Sequence, residues 1–269
     1  MKEAKKIGKR IFKITKLEEM RILPGQLAFF IVFSLITIFS IIGLIGSNFI
    51  THELVIIVED SLPSAISTIL KSILDGETEE INIIIFVITS LYIASNGCGA
   101  MIITSNAIYK IKNDNIVKQK IKAIIMTVIL ISLILFIVMV PAFGELIINM
   151  IQNHFPGRLI DTIEVMFKWL KFPISFISIF VGVKLLYTLA PDKAIPSMYT
   201  TYGALFTTIS WIIITKGYSI YLNNINTYNI YYGSLANIII LLFWVYLLAY
   251  VFTLGIALNA ERYYDSKKV

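Results

Sequence analysis

Six uninterrupted apolar runs, each close to twenty residues long, constrain this chain more than anything else in its sequence. The second is typical: IIIFVITSLYIASNGCGAMII, residues 83–103. A helix of that length spans the ~30 Å hydrocarbon layer of a bilayer. Only 15% of the 269 residues are charged, against about 25% in soluble domains. A closed β-barrel is the other structure able to satisfy every backbone group in lipid. Its strands would alternate apolar and polar residues, and these runs do not alternate. The expected fold class is therefore all-α: a polytopic transmembrane helical bundle of six spans, at about 27–47, 81–104, 121–143, 172–190, 200–222 and 234–258. Residues 1–269 form a single integral membrane domain, without internal repeat or low-complexity segment.

The charge pattern sets an expected topology. Residues 1–24 carry eight Lys and Arg, with Ile7, Ile11, Ile14 and Leu17 at helical spacing. This reads as a basic amphipathic segment lying on anionic lipids at a membrane surface. The loop 48–80 has one basic residue, Lys71, against seven acidic ones, whereas the next loop holds Lys110, Lys112, Lys118, Lys120 and Lys122. Because basic residues favour the cytoplasmic side, six spans with both termini in the cytoplasm place seventeen of the basic residues inside and four outside. This distribution accounts for the net charge of +6 without a nucleic-acid partner. The expected location is the cell (inner or plasma) membrane. The two long outer loops carry further helical faces, Ile66, Ile69, Leu70, Ile73 and Leu74 in one and Leu159, Ile163, Met166, Phe167 and Leu170 in the other. These read as short amphipathic helices at the outer interface or plugging the mouth of the bundle.

Within the spans, small and polar residues stand out. In ASNGCGA, residues 94–100, small side chains let helices approach closely in lipid, and the same device recurs as Ser40, Gly43 and Gly46. Packing is the plainer reading. It explains Asn96 least well, since a polar amide in hydrocarbon must meet a partner or a wet cavity. The functional reading makes Asn96, Gly97 and Gly99 part of a substrate path or hinge, with Gln26 at the opening of the first span. Lys184 and Lys216 lie about six residues, roughly 9 Å, from span ends, a distance that snorkelling can largely cover. Otherwise Lys184 would suit an anionic substrate such as a phosphorylated lipid head group. Convergence of Asn96, Lys184 and Asn259 on one cavity would favour a pathway.

Soluble-enzyme chemistry finds little support. The two histidines, His52 and His154, fall in different loops, and the single cysteine, Cys98, forms neither a disulfide framework nor a zinc cluster. No HExxH, GxSxG, P-loop or GxGxxG occurs, and the acidic run GETEE has no ligand spacing. No catalytic residue, metal or cofactor is expected.

The segment YYGSLANIIILLFWVYLLAYVFTLGIALNAERY, residues 231–263, resembles the C-terminal signature of the YihY/virulence factor BrkB family: Y-G-S-L, an apolar stretch, L-x-W-x-Y, then G-x-x-L-N-A. It is carried by Tyr232, Gly233, Ser234, Leu235, Trp244, Tyr246, Gly255, Leu258, Asn259 and Ala260. QLAFFIVFSLITIFSIIGLIG, ASNGCGAMIITSNAIYKI and LLYTLAPDKAI follow the family's order. Two departures stand out: Ile36-Thr37 follows Ser34-Leu35 where the family often has proline, and Ala257 occupies a position that is often acidic. The resemblance implies a six-helix inner- or plasma-membrane protein with links to virulence, serum resistance and export of lipid-type substrates. An older family label, ribonuclease BN, meets no nuclease constellation in these residues.

The expected function is accordingly a transporter or exporter of a lipid or amphipathic anion, related to the envelope or virulence. The alternative is a membrane scaffold that binds a partner or anionic lipid through its basic segments without transport. An intramembrane enzyme is the third reading. Oligomeric state is not legible in the residues.

Overall fold

The computed structural model describes residues 14–16, 18–49, 83–112, 115–152, 158–224 and 234–267. Six helices and no strands occur among them: α1 (Glu19–Phe49), α2 (Ile83–Ile108), α3 (Ile116–Gln152), α4 (Arg158–Leu189), α5 (Ser197–Asn224) and α6 (Ser234–Asp265). The protein is a helical membrane protein. The stretches Glu19–Ile38, Val87–Ile108, Phe172–Leu189 and Ile238–Asp265 are each long and apolar enough to cross a bilayer. The described part of α3 falls short because Lys118, Lys120 and Lys122 occupy its first turns. Threonines and Lys216 dilute α5.

The helices pack as a ring in chain order, each against the next, and α6 closes the ring on α1 while also touching α2. Leu27, Ile102, Met126, Val183, Tyr187, Phe252 and Ile256 fill its centre. Large apolar side chains such as Phe33, Ile93, Ile125, Ile177 and Phe243 remain exposed on the outside, as expected where lipid is the solvent. Direction alternates around the ring. The start of α1, the end of α2, the start of α3, the end of α4, the start of α5 and the end of α6 therefore meet at one end, here termed the basic end.

Local signals set the boundaries at that end. Asn115 is the N-cap of α3: its Oδ1 accepts the Lys118 N–H at 3.1 Å. Lys110, in the left-handed region at φ 51°, stops α2. The Ile111 N–H reaches the Asn106 carbonyl and the Lys110 N–H the Ala107 carbonyl, the Schellman pattern usually built on glycine.

Several boundaries differ from the sequence reading. Helix α1 starts at Glu19 and takes Pro24 inside it, so Gln26 lies within the helix and does not open it. Ile14 and Met20 pack on Leu254, Ala257 and Leu258 of α6, so the described part of the basic N-terminal segment docks on protein. Residues 1–13 lie outside the described residues, as does the amphipathic stretch 61–76. The second amphipathic stretch does not form a separate helix. It runs continuously through Pro173 as part of α4; a proline inside a membrane helix removes one backbone hydrogen bond, which neighbouring groups can re-satisfy.

Candidate functional site

Three polar constellations stand out from the apolar bundle. The first answers what Asn96 does. It sits on the outward edge of α2, exposed, twelve residues or roughly 18 Å of helix before Ile108. Its Oδ1 accepts from the Lys120 ammonium at 2.8 Å. The same ammonium donates to the Tyr92 carbonyl at 3.1 Å and stands 3.9 Å from the centre of the Tyr92 ring. Lys120 is four residues into α3, so snorkelling towards the near end would be the ordinary course. Instead its side chain leans along the α2–α3 groove to the middle of α2. Tyr92, Ile93, Ile121 and Ile125 beside it are exposed.

The second constellation joins α4, α5 and α6. The Asn259 side chain is fully buried, and its Oδ1 accepts the Gly203 N–H at 2.8 Å. The Tyr187 hydroxyl donates to the Phe252 carbonyl at 2.8 Å and shares a 2.6 Å hydrogen bond with Thr207 Oγ1. These groups press on glycine: a Cβ at Gly255 would collide with the Tyr187 hydroxyl and Thr207 Oγ1, and one at Gly203 with the Gly255 carbonyl and Asn259. One turn further, the Trp211 Nε1–H donates to the Leu248 carbonyl at 2.9 Å. Gly255 and Asn259 thus hold α6 against α5, the close approach that small residues permit in membranes.

The third lies at the basic end. Buried Asn106, in the last turn of α2, forms a two-bond ring with Asp192 in the α4–α5 loop: Nδ2 donates to Oδ2 at 2.6 Å and Oδ1 accepts the Asp192 N–H at 2.9 Å. The Lys122 ammonium pairs with Asp192 Oδ1 at 2.7 Å and also donates to the Ala190 and Pro191 carbonyls. It thereby caps the end of α4, where unsatisfied carbonyls favour a cation. Burial alone would raise the Asp192 pKa. Hydrogen bonds from Lys122 and Asn106, together with the Lys122 charge, outweigh it and hold the carboxyl below its usual value. Nearby, the Tyr264 hydroxyl donates to the Tyr109 carbonyl, and Tyr263 stands edge-on to Tyr109 and Tyr199.

The residues singled out from sequence fall at separate places. Gln26 is exposed on α1. Gly97 is a contact point: its N–H donates to Ser34 Oγ of α1 at 2.7 Å, and a Cβ there would meet Ser34 at 2.6 Å. Gly99 faces Ala123 of α3 at ordinary distance. Lys184 is half-buried on α4. It stands one turn before Thr188, whose hydroxyl meets Thr200 of α5, so it lies towards the α4–α5 side. Asn96 and Asn259 belong to different helix pairs, and no hydrogen bond joins any two of these residues. Of the C-terminal signature, Tyr232 and Gly233 lie outside the described residues, and Ser234 begins α6. Trp244 stacks on Tyr218 at 5.2 Å, with no partner for its Nε1–H among the described residues. Tyr246 is exposed, 6.2 Å from Tyr250. Leu258 packs on Met20, and Ala260 lies in the core.

Sequence reasoning missed Lys120, Asn106, Asp192, Tyr187 and Thr207. Lys120 and Lys122 entered it as topology charges. Asn106, Tyr187 and Asp192 lay inside the family-like segments ASNGCGAMIITSNAIYKI and LLYTLAPDKAI without being singled out, and Thr207 offered no signal. Among the described residues, no three His, Cys, Asp or Glu side chains lie close enough to hold a metal.

Comparison with known proteins agrees with this architecture. Residues 14–268 match the family described as Virulence factor BrkB. The ribonuclease-like protein YfkH of Bacillus subtilis is 28% identical over 94% of this chain and 93% of its own. UPF0761 membrane proteins of Vibrio cholerae and Pseudoalteromonas translucida are similar over shorter stretches. The first is 34% identical over 37% of this chain and 34% of its own, the second 36% over 30% and 27%. No solved structure matches. This chain belongs to the virulence factor BrkB family of membrane proteins.

Proposed function

We propose that this protein moves a lipid or amphipathic anion across the cell membrane, with six spans and both termini in the cytoplasm. One observation carries the reading: a polar station, Asn96 with Lys120, lies halfway along α2 on the outward face, while side chains fill the centre of the ring. A substrate using that station would approach sideways from the bilayer. Its polar head would travel in the α2–α3 groove and its chains would stay in lipid, where they need no protein cover. A small hydrophilic ion would instead require a hydrated central route. Exposed Gln26 on α1 and half-buried Lys184 on α4 are secondary candidates along other grooves. Gly97 and Gly99 act by keeping α2 close to α1 and α3.

The test is leaflet transfer of head-group-labelled fluorescent lipids in proteoliposomes of the purified protein. Transfer faster than in protein-free vesicles is expected. Rates equal to protein-free vesicles across anionic, zwitterionic and neutral lipids would remove the transport reading. The second reading, a scaffold that binds a partner or anionic lipid, draws on Lys110, Lys112, Lys118, Lys193 and Arg262, all exposed at the basic end. Replacing Lys110, Lys112 and Lys118 together by Gln separates the two. A scaffold loses its function, whereas transfer by the bundle persists.

A further inference from the structure

The Lys120 ammonium is held deep in the α2–α3 groove by neutral groups. It has three N–H bonds. One goes to the Tyr92 carbonyl and one to Asn96 Oδ1, and the positive charge rests on the face of the Tyr92 ring. Among the described residues no carboxylate pairs with it, and Asp192 is already taken by Lys122. The third N–H is unassigned. Because Asn96 spends its oxygen on Lys120, its amide NH2 is left pointing away from that bond, exposed and without a protein partner among the described residues. Two donors, one of them cationic, therefore stand side by side about 18 Å from the end of α2, among the exposed apolar side chains Ile93, Ile121 and Ile125. A cation at that depth is unfavourable unless a counter-charge accompanies it.

We propose that Lys120 and Asn96 form an oxyanion site that takes the phosphate of a lipid head group as it crosses the middle of the membrane. The proposal rests on the lipid-transport reading and names the chemistry of its substrate. Lysine binds phosphate as a point charge, and the Asn96 amide adds a directed hydrogen bond to a second phosphate oxygen. The Tyr92 ring and carbonyl hold the ammonium in place between substrates.

The full-length protein in nanodiscs, crosslinked with diazirine-bearing phosphatidic acid or diazirine-bearing diacylglycerol, tests this. Mass spectrometry reads labelling of the α2 and α3 peptides. The wild type is expected to favour phosphatidic acid. Lys120→Gln should lower that labelling about tenfold, the low end for loss of a hydrogen bond to a charged group, and leave diacylglycerol labelling unchanged. Lys120→Arg should keep most of it, and Asn96→Ala should lower it less than Lys120→Gln. The Arg and Ala variants guard against a folding defect in Lys120→Gln. Equal labelling by both lipids, or labelling indifferent to Lys120→Gln in a folded protein, would overturn the site. Millimolar inorganic phosphate distinguishes the sources: failure to compete supports a lipid-borne phosphate, and full competition overturns it in favour of soluble phosphate. Leaflet transfer measured on the same variants keeps the two readings apart. Transfer by a wild-type protein that shows no phosphate preference removes the site alone. A preference intact in a protein that transfers nothing removes transport alone.

Discussion

At the scale of single residues, the glycines divide into two kinds that sequence does not distinguish. Gly255 lies under two hydroxyls, so Gly255→Ala must push Tyr187 or Thr207 off its hydrogen bond. Overpacking of this sort costs about 1–3 kcal/mol. Gly217, on the same helix pair, has nothing within 4 Å of a built Cβ. Gly217→Ala should be neutral or stabilise α5 by about 0.5–1 kcal/mol, because glycine weakens a helix interior. Thermal unfolding in detergent, followed by tryptophan fluorescence, should show the first variant melting several degrees below wild type and the second at or above it. Equal melting temperatures would mean that the α5–α6 contact is looser than the geometry shows. Gly255 and Asn259 were legible as signature residues from the resemblance, but their task was not. The groups they meet, Tyr187 and Thr207 on Gly255 and Gly203 on Asn259, come from the two preceding helices, and nothing in a single chain's pattern says which helix faces pair.

At the scale of elements, the basic end is joined by side chains more than by loops. Asn106, Lys122 and Asp192 tie α2, α3 and the α4–α5 loop into one unit, with Asp192 about a third exposed. Asn106→Ala leaves the Asp192 N–H and carboxylate short of a partner and should cost about 1–2 kcal/mol. The pH dependence has a definite sign. The Asp192 pKa is lowered in the folded state relative to an ordinary carboxyl, near 3.9 when unfolded. Its contribution is therefore present above the unfolded pKa and is lost as pH falls through the folded one. In melting curves between roughly pH 2.5 and 7, Asp192→Asn should lie below wild type at neutral pH and converge with it in acid. A constant gap down to the lowest pH would show that Asp192 acts without its charge. Helix identity and order were read correctly from the apolar runs, since a twenty-residue run has one solution in lipid. Helix ends were not. Lys110 closes α2 in a conformation glycine would normally mark, and α4 begins at Arg158 and passes through Pro173, well before the expected span start at about 172.

At the scale of the whole molecule, the ring geometry makes a claim that does not depend on any substrate. Helix directions alternate, so Lys118, at the start of α3, and Lys267, just after α6, lie at the same end, while Ser219 lies towards the other end of α5. All three are exposed. The chain also supplies its own control, because its single cysteine, Cys98, is buried in the core. In sealed right-side-out vesicles, an impermeant maleimide should leave wild-type protein unlabelled. Lys118→Cys and Lys267→Cys should react only after permeabilisation, and Ser219→Cys without it. The positive-inside bias assigns the basic end to the cytoplasm, and the alternation puts Ser219 opposite. The two parts can fail separately. If all three sites keep the expected pairing with the sides exchanged, the charge argument falls and the ring stands. If Lys118→Cys and Lys267→Cys label from different sides, the chain crosses the membrane an odd number of times between them, and the closure of α6 on α1 cannot hold in the bilayer.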